Sequence, residues 1–226
     1  MVMLVFALPE EARAVQRRIR WQPRMQTNAR ETGSIGGGRR GFLAGHEVSL
    51  SFVGIGGGAI DQVERDVELI KPQLIISSGF AGATRSLLEP GDFVLSANYT
   101  DPAMGTLLLR QKIVDAGGTF VQVKAVASVA DKWSLNRTAG SAAVDMESEI
   151  IADLCRRKQI SLVTARMISD AIDETIPGIF VGRKVAGLRD LSDAAVFAAR
   201  MLRLTEKLAD CLEALVGTLG NREGTK

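Results

Sequence analysis

Short apolar runs along the chain alternate with segments in which apolar positions recur every three or four residues. Residues 3–8 and 74–78 have the apolar character of buried strands, whereas the spacing at 60–70 and 192–215 predicts amphipathic helices. Strands that alternate with helices are typical of α/β proteins. Because neither an internal repeat nor a linker interrupts this pattern, we expect residues 1–226 to form a single α/β domain.

The same pattern predicts the remaining elements. Pro9 fits the first position of a helix that follows the first strand, and the polar, glycine-rich residues 21–40 predict a loop. Gly45 and His46 predict the turn of a hairpin, with His46 facing solvent. Further strands are predicted at 41–44, 47–53, 93–98, 120–127 and 162–169, and a further helix at 148–158.

A glycine-rich segment, Gly54 to Ala59, lies between a predicted strand and a predicted helix and fits the pattern GxGxxA. A dinucleotide site of that kind also needs an acidic residue at the end of the next strand, and residues 74–79 contain none. NAD and ATP are therefore disfavoured as ligands. Two interpretations stay open: a tight turn with close packing, or a loop whose N–H groups face an anion or a hydroxyl.

The amino-acid composition limits the kinds of catalytic and binding site that the chain can form. The sequence has one histidine, His46, and two cysteines, Cys155 and Cys211, which form no metal-binding or disulfide pattern. We therefore expect no metal site, a reducing cytoplasmic location, and acid–base chemistry carried by carboxylates. A net charge of +2 gives no indication of nucleic-acid binding, and no apolar run is long enough for a membrane span.

Acidic residues stand at the ends of three predicted strands, where α/β proteins usually bind ligands. They are Glu10 and Glu11 after the first strand, Asp145 and Glu147 before a helix, and Asp170 after the strand at 162–169. Each also has a structural explanation, because acids complement the dipole at a helix start and aspartate caps turns.

Four segments carry a resemblance to a known family. They are Val5-Phe6-Ala7-Leu8-Pro9-Glu10-Glu11, Ser78-Gly79-Phe80-Ala81-Gly82, Ala143-Val144-Asp145-Met146-Glu147-Ser148 and Arg166-Met167-Ile168-Ser169-Asp170. With the order of the remaining motifs, the chain resembles the nucleoside phosphorylase family from residue 2 to about 215, and most closely its methylthioadenosine/S-adenosylhomocysteine nucleosidase branch. The resemblance implies a twisted mixed β-sheet flanked by helices, a homo-oligomer with a dimer favoured, and no cofactor. It also implies cleavage of the N-glycosidic bond of a purine nucleoside, and we expect a 5'-substituted adenosine.

The resemblance also implies roles for individual residues. Glu11 would activate the attacking water, Glu147 would bind the ribose hydroxyls, and Asp170 would contact the purine at N7 and N6. Three further side chains would contact the substrate: Met146 under the sugar, Ser169 beside Asp170, and Trp133 as an aromatic that stacks on the purine. The reaction needs carboxylates and no histidine, in agreement with the composition.

Two departures leave alternatives open. Phe80, which we expect to contact the substrate, stands where the nucleosidases have a serine near the sugar and the water. Ser77 stands where the phosphorylases of the family have an arginine for phosphate. Ser77 and Glu11 together favour hydrolysis. Phosphorolysis, with phosphate as co-substrate, is the alternative, because Arg13, Arg39, Arg40 or Arg85 offers phosphate contacts, and residues 10–13 and 144–148 resemble hopanoid-associated phosphorylases. A non-catalytic nucleoside-binding protein is a lesser alternative, suggested by Phe80.

Overall fold

The sheet of this protein contains both parallel and antiparallel strand pairs. The structure is a computed structural model that describes residues 1–23, 39–181 and 188–220, so most of the predicted loop at 21–40 lies outside the described residues. Within these ranges the strands are β1 (Val2–Phe6), β2 (Arg20–Trp21), β3 (Arg40–Leu43), β4 (His46–Phe52), β5 (Leu74–Ser77), β6 (Phe80–Ala83), β7 (Phe93–Ser96), β8 (Ala116–Gly118), β9 (Phe120–Gln122), β10 (Ala143–Asp145) and β11 (Ser161–Asp170).

Helices cover the sheet. They are α1 (Arg13–Arg18), α2 (Ile60–Ile70), α3 (Pro102–Arg110), α4 (Val129–Ala139), α5 (Ser148–Lys158) and α6 (Leu188–Gly220), with 3₁₀ helices at Ile55–Gly57 and Gly178–Val181. None of the helices in the described ranges has the length and apolar character needed to cross a membrane. The predicted α/β class and the mixed sheet flanked by helices are confirmed.

The long strand β11 connects the two parts of the sheet. Residues 161–164 pair in parallel with β5, which continues through β1 to β4. Residues 165–167 pair with β7 in antiparallel fashion, and the strand ends in parallel beside β6. On the far side of β6, β10 runs antiparallel, so its carboxyl end lies beside the start of β6.

Apolar side chains of alternating strand positions pack on both faces of the sheet. In β1, Leu4 and Phe6 face the layer that contains α1 and α6, whereas Met3 and Val5 face the layer that contains α2 and α5. All four are fully buried. Burial of a large apolar side chain contributes about 1.5–3 kcal/mol, so this strand is fixed in place at the centre of the molecule.

The structure corrects several predicted boundaries. The first helix begins at Arg13 rather than at Pro9, and residues 9–12 form turns. The strand predicted at 120–127 ends at Gln122, and an unpredicted helix, α4, follows. His46 is the first residue of β4 and is half-buried rather than at the hairpin tip, because the turn residues with positive φ are Ala44 and Gly45.

Candidate active site

A cavity of about 210 Å³ lies along β6. Residues 80–82 form one wall, and residues near the ends of β1, β10 and β11 form most of the rest. The lining is completed by Ile55, Val123, residues 126–127, Lys132 and Ile176. A Cβ atom at Gly79 would lie 2.9 Å from Glu11 Oε2, and one at Gly82 would lie 3.1 Å from Asp170 Oδ2. Three residues of extended strand span roughly 10 Å. The cavity therefore has a Glu11 end and an Asp170 end.

Glu11 lies in the turn between β1 and α1, with its side chain folded back onto the chain. Its Oε2 accepts hydrogen bonds from the backbone N–H groups of Ala7, at 3.0 Å, and Leu8, at 3.2 Å. Burial raises the pKa of Glu11 from 4.5 to about 7, although these hydrogen bonds and the charge of Arg166 oppose the rise. A carboxyl group with a pKa near neutrality can take up and release a proton under ordinary conditions, as a general base requires. Its neighbour Glu10 is exposed and does not line the cavity.

Glu147 stands between β10 and α5 and reaches the same end of the cavity. It is 8% exposed, and its Oε1 accepts a hydrogen bond of 2.8 Å from the N–H of Gly56. Gly56 has a φ of 62°, a conformation that favours glycine. Burial raises the pKa of Glu147 above its usual range, and the hydrogen bond from Gly56 and the charge of Arg166 limit the rise.

The contact between Gly56 and Glu147 bears on the glycine-rich segment. One of its N–H groups does face an anion, and that anion is a carboxylate of the protein itself. Close packing also occurs, because a Cβ atom at Gly57 would lie 2.6 Å from Ile150 Cδ1. Both interpretations of this segment are therefore correct in part.

Arg166, in the middle of β11, places a buried positive charge beside the Glu11 end. It is 2% exposed, and its Nε lies 3.1 Å from Asp145 Oδ2. Its Nη2 donates to the hydroxyl groups of Ser77, at 3.0 Å, and Ser148, at 3.2 Å. Asp145 is thereby occupied in holding Arg166 and the first turn of α5, whereas Glu11 and Glu147 remain directed at the cavity.

The Asp170 end carries an ion pair between two buried side chains. The Nζ of Lys132, on α4, contacts Oδ2 of Asp170, the last residue of β11, and the two residues are 2% and 1% exposed. The hydroxyl of Ser169 lies 2.5 Å from Oδ1 of the same carboxylate. The carboxylate of Asp170 therefore accepts hydrogen bonds from both Lys132 and Ser169.

Six of the seven side chains that the sequence predicts for the site line this one cavity: Glu11, Phe80, Met146, Glu147, Ser169 and Asp170. The structure does not bring the seventh, Trp133, to it. Trp133 lies on α4, is 39% exposed and is absent from the cavity lining. The neighbouring residue Lys132 lines the cavity instead, because one step along a helix turns the side chain by about 100°.

Two residues near the cavity were not assigned a role from the sequence. Lys132 was not assigned a role because the apolar pattern did not predict α4. The signal in the sequence was the capping box of Ser128 and Asp131, which marks the start of a helix. Arg166 is part of a recognised motif, and its position inside a buried strand is a signal, since an isolated charge is costly there.

The arginines considered as phosphate ligands do not line the cavity. Arg13, Arg39 and Arg40 are exposed, and Arg85 donates a hydrogen bond to the carbonyl of Gly140. Ser77, at the position of the phosphorylase arginine, is fully buried and bonded to Arg166.

Comparisons with known proteins agree with this architecture. The Phosphorylase superfamily matches residues 2–114 of the chain. A 5'-methylthioadenosine/S-adenosylhomocysteine nucleosidase of Bacillus cereus (strain B4264) is 29% identical over 166 residues, covering 58% of this chain and 71% of the relative.

Solved structures of similar fold include two hydrolytic enzymes. One is a putative 5'-methylthioadenosine/S-adenosylhomocysteine nucleosidase of Borrelia burgdorferi B31 bound to adenine, with a TM-score of 0.74, 16% identity, and coverage of 96% of this chain and 99% of that one. Another is the futalosine hydrolase of Helicobacter pylori, with a TM-score of 0.70, 16% identity, and coverage of 95% and 96%. By its match over half of its length and by its fold, the chain belongs to the Phosphorylase superfamily.

Proposed function

We propose that this protein hydrolyses the N-glycosidic bond of a purine nucleoside, a 5'-substituted adenosine, with water activated by Glu11. The observation that carries the proposal is one cavity with a carboxyl group of pKa about 7, Glu11, at one end and a second buried carboxyl group, Asp170, at the other. The nucleosidases among the relatives and structural neighbours support the same class of reaction. No cofactor is required.

The Glu11 end holds the sugar and the water. Cleavage of the C1'–N9 bond develops positive charge on the ribose, as in glycoside hydrolysis. Glu147, whose carboxylate is fixed by Gly56, accepts hydrogen bonds from the ribose hydroxyls and favours that charge. Met146 lies under the sugar. Glu11 takes the proton of a water that attacks C1', which leaves the new hydroxyl on the sugar and the proton on the carboxyl.

The Asp170 end holds the base. As the bond breaks, its electron pair remains on the purine, and a proton at N7 makes the base a better leaving group. Asp170 accepts a hydrogen bond from the purine edge, with Ser169 beside it. The ammonium of Lys132 contacts the same carboxylate, so the pair holds a proton that can pass to N7 through Asp170 as the bond breaks.

Apolar side chains at the mouth of the cavity support a 5' substituent that is apolar. Leu8, Ile55 and Val126 line the cavity and are 37%, 61% and 47% exposed. A carbon chain or thioether that leaves the cavity at this point would cover them. Each apolar area of 100 Å² removed from water contributes about 2.5 kcal/mol.

The same exposed rim supports a homodimer as part of the proposal, because a second subunit would cover apolar surface near the mouth. Light scattering on the purified protein tests this.

A cytoplasmic location is proposed from the state of the thiols. Cys155 and Cys211 are both free, as is usual in a reducing compartment. Burial raises the pKa of Cys155 to about 12, so this thiol is unreactive.

Phosphorolysis remains the second candidate for one reason. Nη1 of the buried Arg166 has no hydrogen-bond partner among the described residues, and a buried guanidinium can bind phosphate. The pairing of Ser77 with Arg166 and the positions of the other arginines favour water as the nucleophile. Phe80, which supported the binding-protein alternative, lines the cavity without displacing Glu11 or Glu147.

The test is a nucleoside panel assayed with and without phosphate. It contains methylthioadenosine, S-adenosylhomocysteine, 5'-deoxyadenosine, adenosine, inosine and a lipid-bearing adenosine, with released base as the readout. We expect adenine to be released without phosphate. A strict need for phosphate, with a sugar 1-phosphate as product, would make the protein a phosphorylase, and tight binding without cleavage would make it a binding protein.

A further inference from the structure

We propose that the ion pair between Glu174 and Arg200 positions the Asp170 end of the cavity. Glu174 lies in the turn that follows β11, and Arg200 lies on α6, so the pair fastens this turn to the helix. The inference rests on the proposed function, in which the Asp170 end holds the purine. Neither residue lines the cavity or belongs to the four segments that carry the resemblance. Both are therefore positioning residues.

The carboxylate of Glu174 closes the turn formed by residues 171–174. Its Oε2 accepts a hydrogen bond from the N–H of Ala171, at 3.3 Å, and the N–H of Glu174 donates to the carbonyl of Ala171, at 3.1 Å. Nη1 of Arg200 donates to Oε2 at 2.8 Å, and Nη2 contacts Oε1, a two-pronged geometry in which arginine binds a carboxylate strongly. Burial opposes ionisation of Glu174, but the contacts with Arg200 outweigh it and hold the pKa of Glu174 below its usual range.

The turn supplies two of the three contacts that hold the ammonium of Lys132. Nζ donates to the carbonyls of Ala171, at 2.7 Å, and Glu174, at 2.8 Å, and it also contacts Oδ2 of Asp170. A protonated lysine has three N–H donors, so the two carbonyls direct the third donor toward Asp170. The position of the turn therefore fixes the contact through which, under the proposed function, a proton reaches the base.

The same segment contributes to the wall of the cavity. Ile176, two residues beyond Glu174, lines the cavity together with Lys132 and Asp170. Ile172, inside the turn, is buried. A shift of the turn would therefore move an apolar wall residue and the ammonium at the same time.

The helix α6 is a fixed support for this segment. Its Leu204 and Leu208 are buried in the core. The guanidinium of Arg200 lies 5.2 Å from the centre of the buried Phe197 ring, an attractive contact that holds the arginine in place. Phe197 also contacts Phe180, with 5.1 Å between the ring centres, so the segment after β11 meets α6 at a second point.

An ion pair at the surface usually contributes little to stability, and this one is partly exposed, with 30% for Glu174 and 27% for Arg200. Its loss should therefore shift the melting temperature by no more than about 4 °C. Placement is more sensitive, because a displacement of about 1 Å at a reacting group lowers activity by about 100-fold. We expect a loss of function that is large for the small loss of stability.

The experiment measures by calorimetry the binding of free adenine and of 5-methylthioribose, the sugar product of 5'-methylthioadenosine hydrolysis. Glu174→Ala removes the ion pair but leaves the backbone carbonyl that Lys132 contacts. We expect this variant to bind adenine at least about tenfold more weakly and to bind the sugar with unchanged affinity. Its kcat/KM for 5'-methylthioadenosine should fall at least about tenfold.

Glu64→Ala is the matched control. Glu64 on α2 forms an ion pair of 2.8 Å with Lys158 on α5, and the two side chains are 33% and 28% exposed, close to the values for Glu174 and Arg200. Neither residue of the control pair lines the cavity, so this change should alter neither affinity. Arg200→Lys, which keeps the charge but not the two-pronged contact, should retain more adenine affinity than Arg200→Ala.

A merely structural role for the ion pair would weaken the binding of adenine and of the sugar in the same proportion, and that result would overturn the inference. Unchanged adenine affinity in Glu174→Ala would overturn it too. The losses in Glu174→Ala and Arg200→Ala should not add in the double variant, since both act through one ion pair. If Glu174→Ala does not fold, Arg200→Ala provides the same measurement.

The binding measurements separate the inference from the proposed function. A natural protein that cleaves no nucleoside, but whose adenine affinity falls in Glu174→Ala, would refute the proposed function alone. A natural protein that hydrolyses 5'-methylthioadenosine, with full adenine affinity retained in Glu174→Ala, would refute the role of the ion pair alone. Absence of adenine binding in the natural protein would overturn the inference as well.

Discussion

At the scale of single residues, the position of Glu11 depends on a neighbour that has no side chain. Gly79 has a φ of 137°, and a Cβ atom there would lie 2.9 Å and 3.1 Å from the two carboxylate oxygens of Glu11. Oε2 also accepts hydrogen bonds from two backbone N–H groups, so the carboxylate cannot move aside without losing hydrogen bonds. The turn after β1 and the start of β6 together fix the proposed base.

Gly79→Ala should therefore reduce activity by displacing Glu11. We expect kcat/KM to fall about 100-fold, because a catalytic group moved by about 1 Å loses that much. The control is Gly45→Ala, which has a similarly positive φ of 83° and open space around the position of its Cβ atom. It should lower the melting temperature and leave kcat/KM near normal. Equal losses of activity in the two variants would contradict the assignment of Glu11.

The pKa of Glu11 predicts the pH dependence of the reaction. A general base acts when it is ionised, and burial raises the pKa of Glu11 to about 7. The value of kcat/KM should therefore rise with pH and level off above about 7, with loss of activity on the acid side. Glu11→Gln should remove most turnover, by about 10²–10⁴-fold, and with it this limb of the profile. The profile is measured at constant ionic strength, because salt screens charges. A profile that is flat from pH 5 to 8 would contradict the role of Glu11 as the general base.

At the scale of elements, the buried ion pair fastens α4 to the end of β11. Removal of one partner leaves the other charge buried and unpaired, which costs about 3–5 kcal/mol. Lys132→Met should lower the free energy of unfolding by about that amount, measured by urea denaturation.

A double-variant cycle checks the origin of that loss. Lys132→Met/Asp170→Asn removes both charges, so the added cost of the second change should be small and the two single losses should not add. Fully additive losses would show that the ion pair contributes nothing of its own.

The elements also show how far the sequence could lead. The helix α5 and most of β11 follow from their apolar spacing, and α5 has the predicted bounds. The start of α1 could not be predicted, since the carboxylate of Glu11 occupies the N–H groups of Ala7 and Leu8 and residues 9–12 form turns instead. The apolar spacing did not predict α4, because this helix is mostly exposed and only weakly amphipathic. Its capping box was the one local signal that could have located the helix and, with it, Lys132.

At the scale of the whole molecule, strand direction brings the carboxylates together. Acidic residues at the carboxyl ends of parallel strands lie at the same edge of a sheet. This reasoning correctly predicts that Glu11 and Asp170 lie at the same cavity. Glu147 reaches the same cavity for another reason, because β10 runs antiparallel to β6 and its carboxyl end lies beside Phe80. The direction of β10 depends on pairing between distant segments, which no local pattern in the sequence contains.

The central claim is that water attacks C1' of a nucleoside in this cavity. The most direct test is cleavage of 5'-methylthioadenosine in ¹⁸O-water without phosphate, with the sugar product examined by mass spectrometry. We expect the natural protein to release adenine and to place one heavy oxygen on the sugar, and we expect Glu11→Gln to do so far more slowly. Release of adenine only when phosphate is added, with no heavy oxygen in the sugar, would contradict the claim.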